Sequence, residues 1–430
     1  MGAAYRLVVV AAEVSGGTVG SEFSPFHGAQ LADPYPFYAR ARREEPVFYS
    51  PMLGMWYVTR YDDIVAVARD PARFCSSESV DMPLDYTPET RAAIESSFLS
   101  HNSLTNNDPP SHTKVRGLVN KAFTGRRVAG LEGRIRAIAQ DLVDRFAGDG
   151  HAELVEQFNF PLPMRVILNV LGAPEADLMT LKQWSDDWMV LLLQQLTPEQ
   201  QEQIIGRLLE SERYWVELIE ARRAEPADDL VSDMVRACLD DPDPVGVPML
   251  VNVCSTLVLA GHETTTNLLG NCVYRLLSQP QQWQLVLDDP ANAARAVEET
   301  LRADSSVQAL MRTTTEPVEV GGVQLPKGAR VALLFASANH DEAYFADAPR
   351  FDLSRQTTRG HLAFGHGIHH CVGAALARLE SRIAVELLAT RLPGLRLSPD
   401  FEPHYETNPI HRGLRQLTVE WNTRPLTVIE

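Results

Sequence analysis

The sequence contains few cysteines, and none of them is paired by spacing. Five of the 430 residues are cysteine, namely Cys75, Cys238, Cys254, Cys272 and Cys371, and no two form a C-x-x-C pair. This scarcity argues against a disulfide framework, and the missing pairs argue against a structural zinc site.

Long hydrophobic runs are also absent near the start of the chain. The stretch LVVVAA at residues 7–12 is far shorter than the roughly 20 apolar residues that span a membrane. The segment EVSGGTVGSEF that follows lacks an obvious signal-peptide cleavage site. We therefore expect residues 1–23 to form a flexible tail, residues 24–430 to form a single domain, and the protein to be cytoplasmic without a membrane anchor.

Positive charge is in deficit. Lys and Arg number 39 against 56 Asp and Glu, which gives a formal net charge of −17. Nucleic acid binding relies on a basic surface, so we do not expect nucleic acid as a partner. The apolar fraction of 45% and the charged fraction of 22% are typical of a soluble globular protein.

Helical periodicity dominates the rest of the chain. Residues 131–150 have apolar positions at helical spacing, and Thr197 followed by Pro198 is typical of a capped helix start. Residues 247–280 are apolar on nearly all sides, which predicts a buried central helix. Residues 316–339 read as hairpin strands broken by Gly-Gly and Pro-Lys-Gly. These patterns predict a mainly α fold with a smaller β region.

The stretch FGHGIHHCVGAALARLE at residues 364–380 places one thiol before a strongly periodic helix. Unpaired amides and the positive end of the helix dipole favour a thiolate at Cys371. Gly367 and Gly373 lack side chains, so a large flat group can approach the backbone closely. Phe364 is placed to keep water away from the sulfur.

Three other interpretations of this turn are open from the residues alone. Cys371 can be a buried structural cysteine beside surface histidines. A zinc site would use His366, His369, His370 and Cys371, but ligands so close along the chain fit tetrahedral zinc poorly. A nucleophilic cysteine would need one of the adjacent histidines as its base, and these cannot easily fold back onto the thiol.

The positions of Phe364, Gly367, Cys371 and Gly373 resemble the F-x-x-G-x-x-x-C-x-G signature of the cytochrome P450 family. The resemblance implies the cytochrome P450 fold, with haem b between the long central helix and the cysteine-loop helix. It implies that Cys371 is the axial thiolate ligand of the haem iron, where its electron donation favours O–O cleavage. It also implies that His369 faces a haem propionate.

A second motif, AGHETT at residues 260–265, puts an acid and hydroxyls inside the apolar central helix. Burying them is costly unless they are hydrogen-bonded or functional, and Thr264 can bond back to the carbonyl of Ala260 and bend the helix. The motif resembles the A-G-x-[DE]-T segment of the same family. The resemblance implies that Ala260 and Gly261 leave room beside the haem, and that Glu263 and Thr264 relay protons during oxygen activation.

A third motif, EETLR, places Glu299 and Arg302 on one helix face. Alone it fits an ordinary exposed ion pair, worth roughly 0–1 kcal/mol. The resemblance implies instead a buried pair that Arg355 completes as a structural triad, and that this triad fixes the cysteine loop.

A fourth motif, DPPSHTKVR, predicts a helix that begins at Pro109 with Asp108 as its cap. His112 and Arg116 are four apart and face the same way. The resemblance implies that both meet the haem propionates together with Arg312, an arrangement in which cationic donors face two carboxylates.

The resemblance implies a haem-thiolate monooxygenase that hydroxylates or epoxidises a bulky hydrophobic molecule, such as a polyketide, macrolide or terpenoid intermediate. We expect the largely apolar pocket to include Leu257, Val307, Leu310 and Ile410. Alternatives are a haem-thiolate enzyme for oxidative coupling or rearrangement, a haem sensor without enzymatic activity, and a zinc or cysteine hydrolase. The intact Glu263-Thr264 pair favours oxygen activation.

No segment remains for a flavin reductase domain, so we expect electrons to come from NAD(P)H through a separate ferredoxin and ferredoxin reductase. A docking face over Cys371 would use positive side chains despite the acidic total. The candidates are Lys114, Lys121, Arg126, Arg127 and Arg378. We expect the protein itself to be a monomer.

Overall fold

The structure is a computed structural model that describes residues 18–77, 79, 85–98, 104–356 and 360–423. Residues 1–17 of the expected tail lie outside this described part. The tail boundary at residue 23 is wrong, because Thr18–Glu22 is helical and Val19 and Phe23 are 2% and 3% exposed. Their apolar side chains pack in a core cluster with Phe48 and Tyr57, so residues 18–23 belong to the folded body.

Helices make up most of the described chain. The α-helices are α1 Thr18–Glu22, α2 Gly28–Ala32, α3 Tyr35–Glu44, α4 Tyr61–Ala68, α5 Pro88–Ser96, α6 Ser111–Asn120, α7 Gly125–Gly130, α8 Glu132–Phe146, α9 Pro161–Leu171, α10 Leu178–Leu193, α11 Pro198–Ala224, α12 Leu230–Leu239, α13 Val247–Leu277, α14 Pro280–Asp288, α15 Asn292–Ala303, α16 Phe335–Ala338 and α17 Ala374–Arg391. A π-helix spans Val155–Asn159, and 3-10 turns span Glu175–Asp177 and Gly367–His369.

The strands are short and form three sheets. They are β1 Val47–Ser50, β2 Met55–Val58, β3 Phe74–Cys75, β4 His151–Glu153, β5 Leu310–Thr314, β6 Val318–Val320, β7 Val323–Leu325, β8 Arg330–Leu333, β9 Arg396–Leu397 and β10 Thr418–Glu420. The largest sheet has the order β1-β2-β8-β5-β3, the second has the order β4-β10-β9, and β6 pairs with β7. The predicted balance of a mainly α fold with a smaller β region is confirmed.

Helix α13 runs through the centre of the helical part. It packs against α9, α11, α15 and α17, so it is covered on several sides, as its apolar composition predicts. The predicted cap of α11 is confirmed, since Thr197 accepts the amide of Gln200 and the Gln200 side chain accepts the amide of Thr197. In the described residues, no helix is long and apolar enough to cross a membrane.

The predicted hairpin region divides into two parts. Gly321 and Gly322 have φ of +55° and +83° and join β6 to β7 as a hairpin. Strand β8 lies after the Pro-Lys-Gly turn and does not extend this hairpin. It pairs in parallel with β2 and antiparallel with β5, which places it inside the five-stranded sheet.

The predicted cap at Asp108 is wrong. Helix α6 begins at Ser111 with Pro110 before it, and it has no side-chain cap. The Asp108 carboxylate instead accepts the main-chain amides of Ser76 and Ser77 at 2.9 and 2.8 Å. The amides of Ser76 and Ser77 are available to the carboxylate because these residues follow β3, whose pairing with β5 ends at Cys75. Asp108 thereby ties the start of α6 to the five-stranded sheet.

Candidate active site

The cysteine loop lies directly before α17. The Cys371 amide donates to the carbonyl of Phe364 at 2.8 Å, and the His370 amide donates to the carbonyl of Gly367 at 3.1 Å. These two bonds close the loop around the 3-10 turn and leave the Cys371 side chain exposed. The thiol of Cys371 therefore lies just before the first turn of α17, which begins at Ala374, as the sequence predicts.

Gly367 is required by a protein contact. It has φ of +73°, and a Cβ there would lie 2.1 Å from the carbonyl oxygen of Ala68 at the end of α4. A Cβ on Gly373 would meet only the Cys371 sulfur, at the ordinary distance of 3.9 Å. Gly367 therefore makes room for α4, and the expectation that both glycines also make room for a large flat group stays a prediction.

Cys371 has solvent-accessible surface, yet protein atoms surround its thiol closely enough for burial to affect its pKa. This enclosure is the largest influence on the pKa of Cys371 and raises it. The amides of Gly373 and Ala374 and the cations Arg116 and Arg378 lower the same pKa by smaller amounts. The helix start acts in the predicted direction, but it does not by itself make a thiolate, whereas coordination to a metal cation deprotonates a thiol.

On α13 the polar residues of the AGHETT motif have separate partners. Thr264 donates from Oγ1 to the carbonyl of Ala260 at 2.9 Å, the back-bonding that the sequence predicts. Ala260 is exposed although it lies mid-way along the central helix. A Cβ on Gly261 would lie 2.9 Å from Ile167, so Gly261 admits α9 rather than leaving space.

Glu263 has a partner that sequence spacing does not predict. Its Oε1 lies 2.9 Å from Nδ1 of His411, a residue 148 positions further along the chain. Burial raises the pKa of Glu263, whereas His411, His262 and Lys182 lower it. The lowering is the larger effect, so the net shift of the pKa is downward. The carboxylate is therefore ionised and held at the C-terminal segment.

The predicted propionate residues come together. The rings of His112 and His369 are 4.2 Å apart, and Arg312 is 5% exposed and donates to its neighbour, the carbonyl of Met311. Among the described residues, neither nitrogen of the buried His112 ring nor Nε2 of His369 has a hydrogen-bond partner. Unpaired buried donors are rare and costly.

Asp108 is an anion near His112 and Arg312 and acts to raise the pKa of both, but its carboxylate accepts the amides of Ser76 and Ser77. Burial and nearby cations lower the pKa of His112, burial and Arg312 lower the pKa of His369 to about 3, and burial lowers the pKa of Arg312 to about 10. Arg116 donates from Nη2 to the carbonyl of His370 at 2.6 Å, directly before the cysteine. A group with two carboxylates fits this cluster, since it would satisfy the donors and offset the positive charge.

Glu299, Arg302 and Arg355 form the predicted triad. Arg302 donates to both oxygens of Glu299 at 2.9 and 2.8 Å, and Arg355 lies 3.3 Å from the same carboxylate. Both Glu299 and Arg302 are fully buried. Arg302 also donates to the carbonyls of Asn339, Ala348 and Arg350. The triad thus organises residues 339–355, upstream of the cysteine loop.

Glu298, next to the triad, contacts residues on both sides of the cysteine loop. It pairs with Arg378 of α17 and lies 3.3 Å from Nε2 of His361. Burial raises the pKa of Glu298, but hydrogen bonds from His361 and Arg378 lower it to about 2. The sequence signal was the first glutamate of EETLR, which no motif spacing singled out.

The predicted pocket residues do not all lie together. Val307 and Leu310 pack against the core cluster that contains Ile410, and the Gln308 amide donates to the Ile410 carbonyl at 2.7 Å. Leu257 is 5% exposed and belongs to a different cluster, with α9 and α12. Leu257 therefore packs in that cluster, and its place in the pocket stays a prediction.

A thiol before α17, imidazole nitrogens without a hydrogen-bond partner among the described residues, and a buried arginine fit a haem-thiolate site. The family model described as Cytochrome P450 matches residues 293–392, which include the cysteine loop. Cytochrome P450 107B1 of Saccharopolyspora erythraea is 40% identical over 402 residues, which cover 92% of this chain and 96% of that protein.

Two further similarities agree with this match. Mycinamicin IV hydroxylase/epoxidase of Micromonospora griseorubida is 38% identical over 406 residues, or 93% of this chain and 98% of that protein. The solved P450 haem domain of Tepidiphilus thermophilus has a TM-score of 0.88 at 33% identity, with 94% of this chain and 97% of that chain covered. The chain belongs to the cytochrome P450 family and is a monooxygenase of that family, as the cysteine signature predicts, and the family implies a haem cofactor.

Proposed function

We propose that this cytochrome P450 inserts one atom of dioxygen into a bulky hydrophobic natural-product intermediate, by hydroxylation or epoxidation. The observation that carries the proposal is the acid–alcohol pair on α13, where ionised Glu263 and Thr264 stand beside an exposed Ala260 in an otherwise buried helix. Such a pair is useful where protons must reach a reacting group away from bulk water.

Different residues of the chain would have different roles in the proposed reaction. Haem, when bound, supplies the reductive activation of dioxygen, with one oxygen atom inserted and the other released as water. Cys371 would hold the iron, and the donors His112, Arg116, His369 and Arg312 would bind the propionates. Thr264 and Glu263 would move protons along α13.

The substrate class rests on the pocket and on one relative. Val307 and Leu310 are partly buried against the core cluster that contains Ile410, and apolar residues of this kind would suit a bulky apolar ligand. A 38% identical relative is named for hydroxylation and epoxidation of mycinamicin IV. A macrolide or a similar polyketide is therefore the first class of compound to examine, followed by terpenoids.

Electrons would come from NAD(P)H through a ferredoxin and its reductase, to a monomeric protein in the cytoplasm whose folded body, which includes residues 18–23, forms one catalytic domain. Of the proposed docking cations, Lys114, Arg127 and Arg378 already pair with Asp243, Asp233 and Glu298. Lys121 and Arg126 are exposed, and no described residue forms an ion pair with them. These two are therefore the better candidates for contact with an acidic donor.

The test is turnover of the haem-loaded protein under ¹⁸O₂. Macrolides, including mycinamicin IV, and terpenoids are first screened for a spin-state shift in the haem spectrum. Compounds that bind are incubated with NADH and a surrogate ferredoxin system, and one labelled oxygen atom per product supports the proposal. Products without the label contradict it and indicate coupling or rearrangement.

Thr264→Ala provides the second arm of the test. We expect this variant to consume NADH while forming less product per electron, because one member of the proton path is missing. Product per NADH equal to that of the unaltered protein would contradict the role given to Thr264.

A further inference from the structure

The partner of Glu263 lies on the C-terminal segment at residues 408–411. His411 Nδ1 is 2.9 Å from Oε1 of Glu263, and the two side chains are 14% and 28% exposed. Because the shifts on Glu263 favour its ionised form, the imidazole must be the donor in this bond. The bond spans two elements that are far apart in sequence.

Two other titratable groups, His262 and Lys182, also lower the pKa of Glu263. His262 is 4% exposed and its Nδ1 is occupied by the carbonyl of Val258 at 2.7 Å. Lys182 of α10 pairs with Asp186 and lies 5.2 Å from the ring centre of Phe160. Each of these two is held elsewhere, so among the described residues His411 is the group that bonds the carboxylate directly.

The main chain of His411 is joined to the proposed pocket. His411 forms an antiparallel bridge with Val307, and the amide of Gln308 donates to the carbonyl of Ile410. The Asn408 side chain accepts the amides of Ile410 and His411 at 2.9 and 3.0 Å, which fixes the turn that carries both residues. A displacement of Val307 or Ile410 is therefore transmitted to the ring of His411.

We propose that His411 is a positioning residue for proton delivery: its ring N–H holds the Glu263 carboxylate on α13, and its main chain links that carboxylate to the pocket residues Val307 and Ile410. The inference rests on the proposed function, in which Glu263 supplies protons. It adds a route by which contact with a ligand in the pocket reaches the proton-bearing group.

The test compares two substitutions at one position. His411→Leu removes the donor, whereas His411→Asn keeps an N–H near the place of Nδ1. His404→Leu is the matched control, because His404 is an exposed histidine on the same C-terminal segment. The haem-loaded proteins are reduced through a surrogate ferredoxin system without substrate, and NADH consumed and hydrogen peroxide released are both measured, in H₂O and in D₂O.

Without substrate, two electrons and two protons turn dioxygen into hydrogen peroxide, whereas four of each give two molecules of water. We expect His411→Leu to raise the peroxide share at least about twofold, to slow NADH oxidation roughly tenfold and to change the D₂O effect, since proton supply becomes limiting. His411→Asn should restore most of the loss, and His404→Leu should match the unaltered protein.

A crystal structure of the haem-loaded variants gives a readout independent of turnover. We expect the Glu263 carboxylate to leave its place in His411→Leu and to keep it in His411→Asn. An unchanged peroxide share in His411→Leu, or equal effects of Leu and Asn, would overturn the inference. Glu263→Gln distinguishes a failure of the proposed function from a failure of the inference about His411. If this variant leaves the peroxide share unaltered, the proton role of Glu263 in the proposed function is wrong. If Glu263→Gln is impaired and His411→Leu is not, the inference about His411 alone is wrong.

Discussion

The guanidinium of Arg378 lies 4.5 Å from the ring centre of Phe364, the residue whose carbonyl accepts the amide of Cys371. The same guanidinium pairs with Glu298 of α15. A cation over an aromatic face is attractive, the more so where water is excluded. Arg378 thus links the cysteine loop to α15, because it contacts Phe364 of the loop and Glu298 of α15.

Glu298→Gln should destabilise the protein in a pH-dependent way. The pKa of Glu298 falls from its ordinary 4.5 to about 2 in the folded protein. A carboxyl group whose pKa is lower in the folded than in the unfolded protein stabilises the folded state at any pH above the unfolded pKa. That contribution is lost as the pH falls from about 4.5 towards 2. We expect the variant to lose about 2 kcal/mol in urea unfolding at pH 7, after allowance for partial exposure.

The difference between the two proteins should shrink steadily between pH 5 and pH 3. Glu406→Gln is the control, since its pair with Arg415 is 3.6 Å long and exposed, and it should change the free energy of unfolding by less than about 1 kcal/mol. If the difference in the free energy of unfolding between Glu298→Gln and the unaltered protein stays constant with pH, the ionised Glu298 carboxylate does not stabilise the fold as proposed.

Gly367→Ala should disrupt the cysteine loop. The new Cβ would lie 2.1 Å from the carbonyl oxygen of Ala68 and would sit at φ of +73°. The strained backbone alone costs about 1–3 kcal/mol, and the clash adds to it. Gly125→Ala is the control because nothing lies within 4 Å of its Cβ position. Equal thermal stability of the two variants would show that α4 yields to the new side chain.

Motif residues and helix periodicity were predictable because each depends on local spacing. Thr197 caps its helix, Thr264 bonds to the carbonyl four residues back, and Glu299 and Arg302 share a face, all within one turn. These interactions are set by the chain itself, so the sequence predicts them without knowledge of the fold.

The partners that join distant segments were not predictable in this way. His411 meets Glu263 across 148 positions, and Asp108 meets Ser76 across 32. Such contacts depend on how helices and strands pack, and a carboxylate near a helix start has competing donors. The misplaced cap at Asp108 followed from treating a local pattern as if it fixed a tertiary contact.

Removing the orphaned donors should weaken haem retention. Arg312→Leu removes a buried cation, and His112→Phe removes a ring whose nitrogens have no partner in the described residues. A charge-assisted hydrogen bond is worth about 1.5–3 kcal/mol, so we expect roughly 10- to 100-fold faster haem transfer to apomyoglobin. Transfer at the unaltered rate in both variants would mean that the propionates lie elsewhere.

Reversing charge at Lys121 and Arg126 should weaken the contact with the electron donor. Both are exposed, so their substitution by Glu should lower the association rate with an acidic donor, most strongly at low salt. Peroxide-driven turnover, which needs no donor, should be unaltered. An equal fall in both kinds of turnover would indicate damage to the fold rather than loss of a docking surface.

The assignment of Cys371 as the axial ligand is tested most directly by the absorption spectrum of the reduced carbon monoxide complex, recorded for the unaltered protein and for Cys371→Ala. We predict a strongly red-shifted Soret band in the former and its loss in the latter, because the shift reports a thiolate on the iron. A red-shifted band that persists in Cys371→Ala would contradict the assignment of the axial ligand, and with it the site described above.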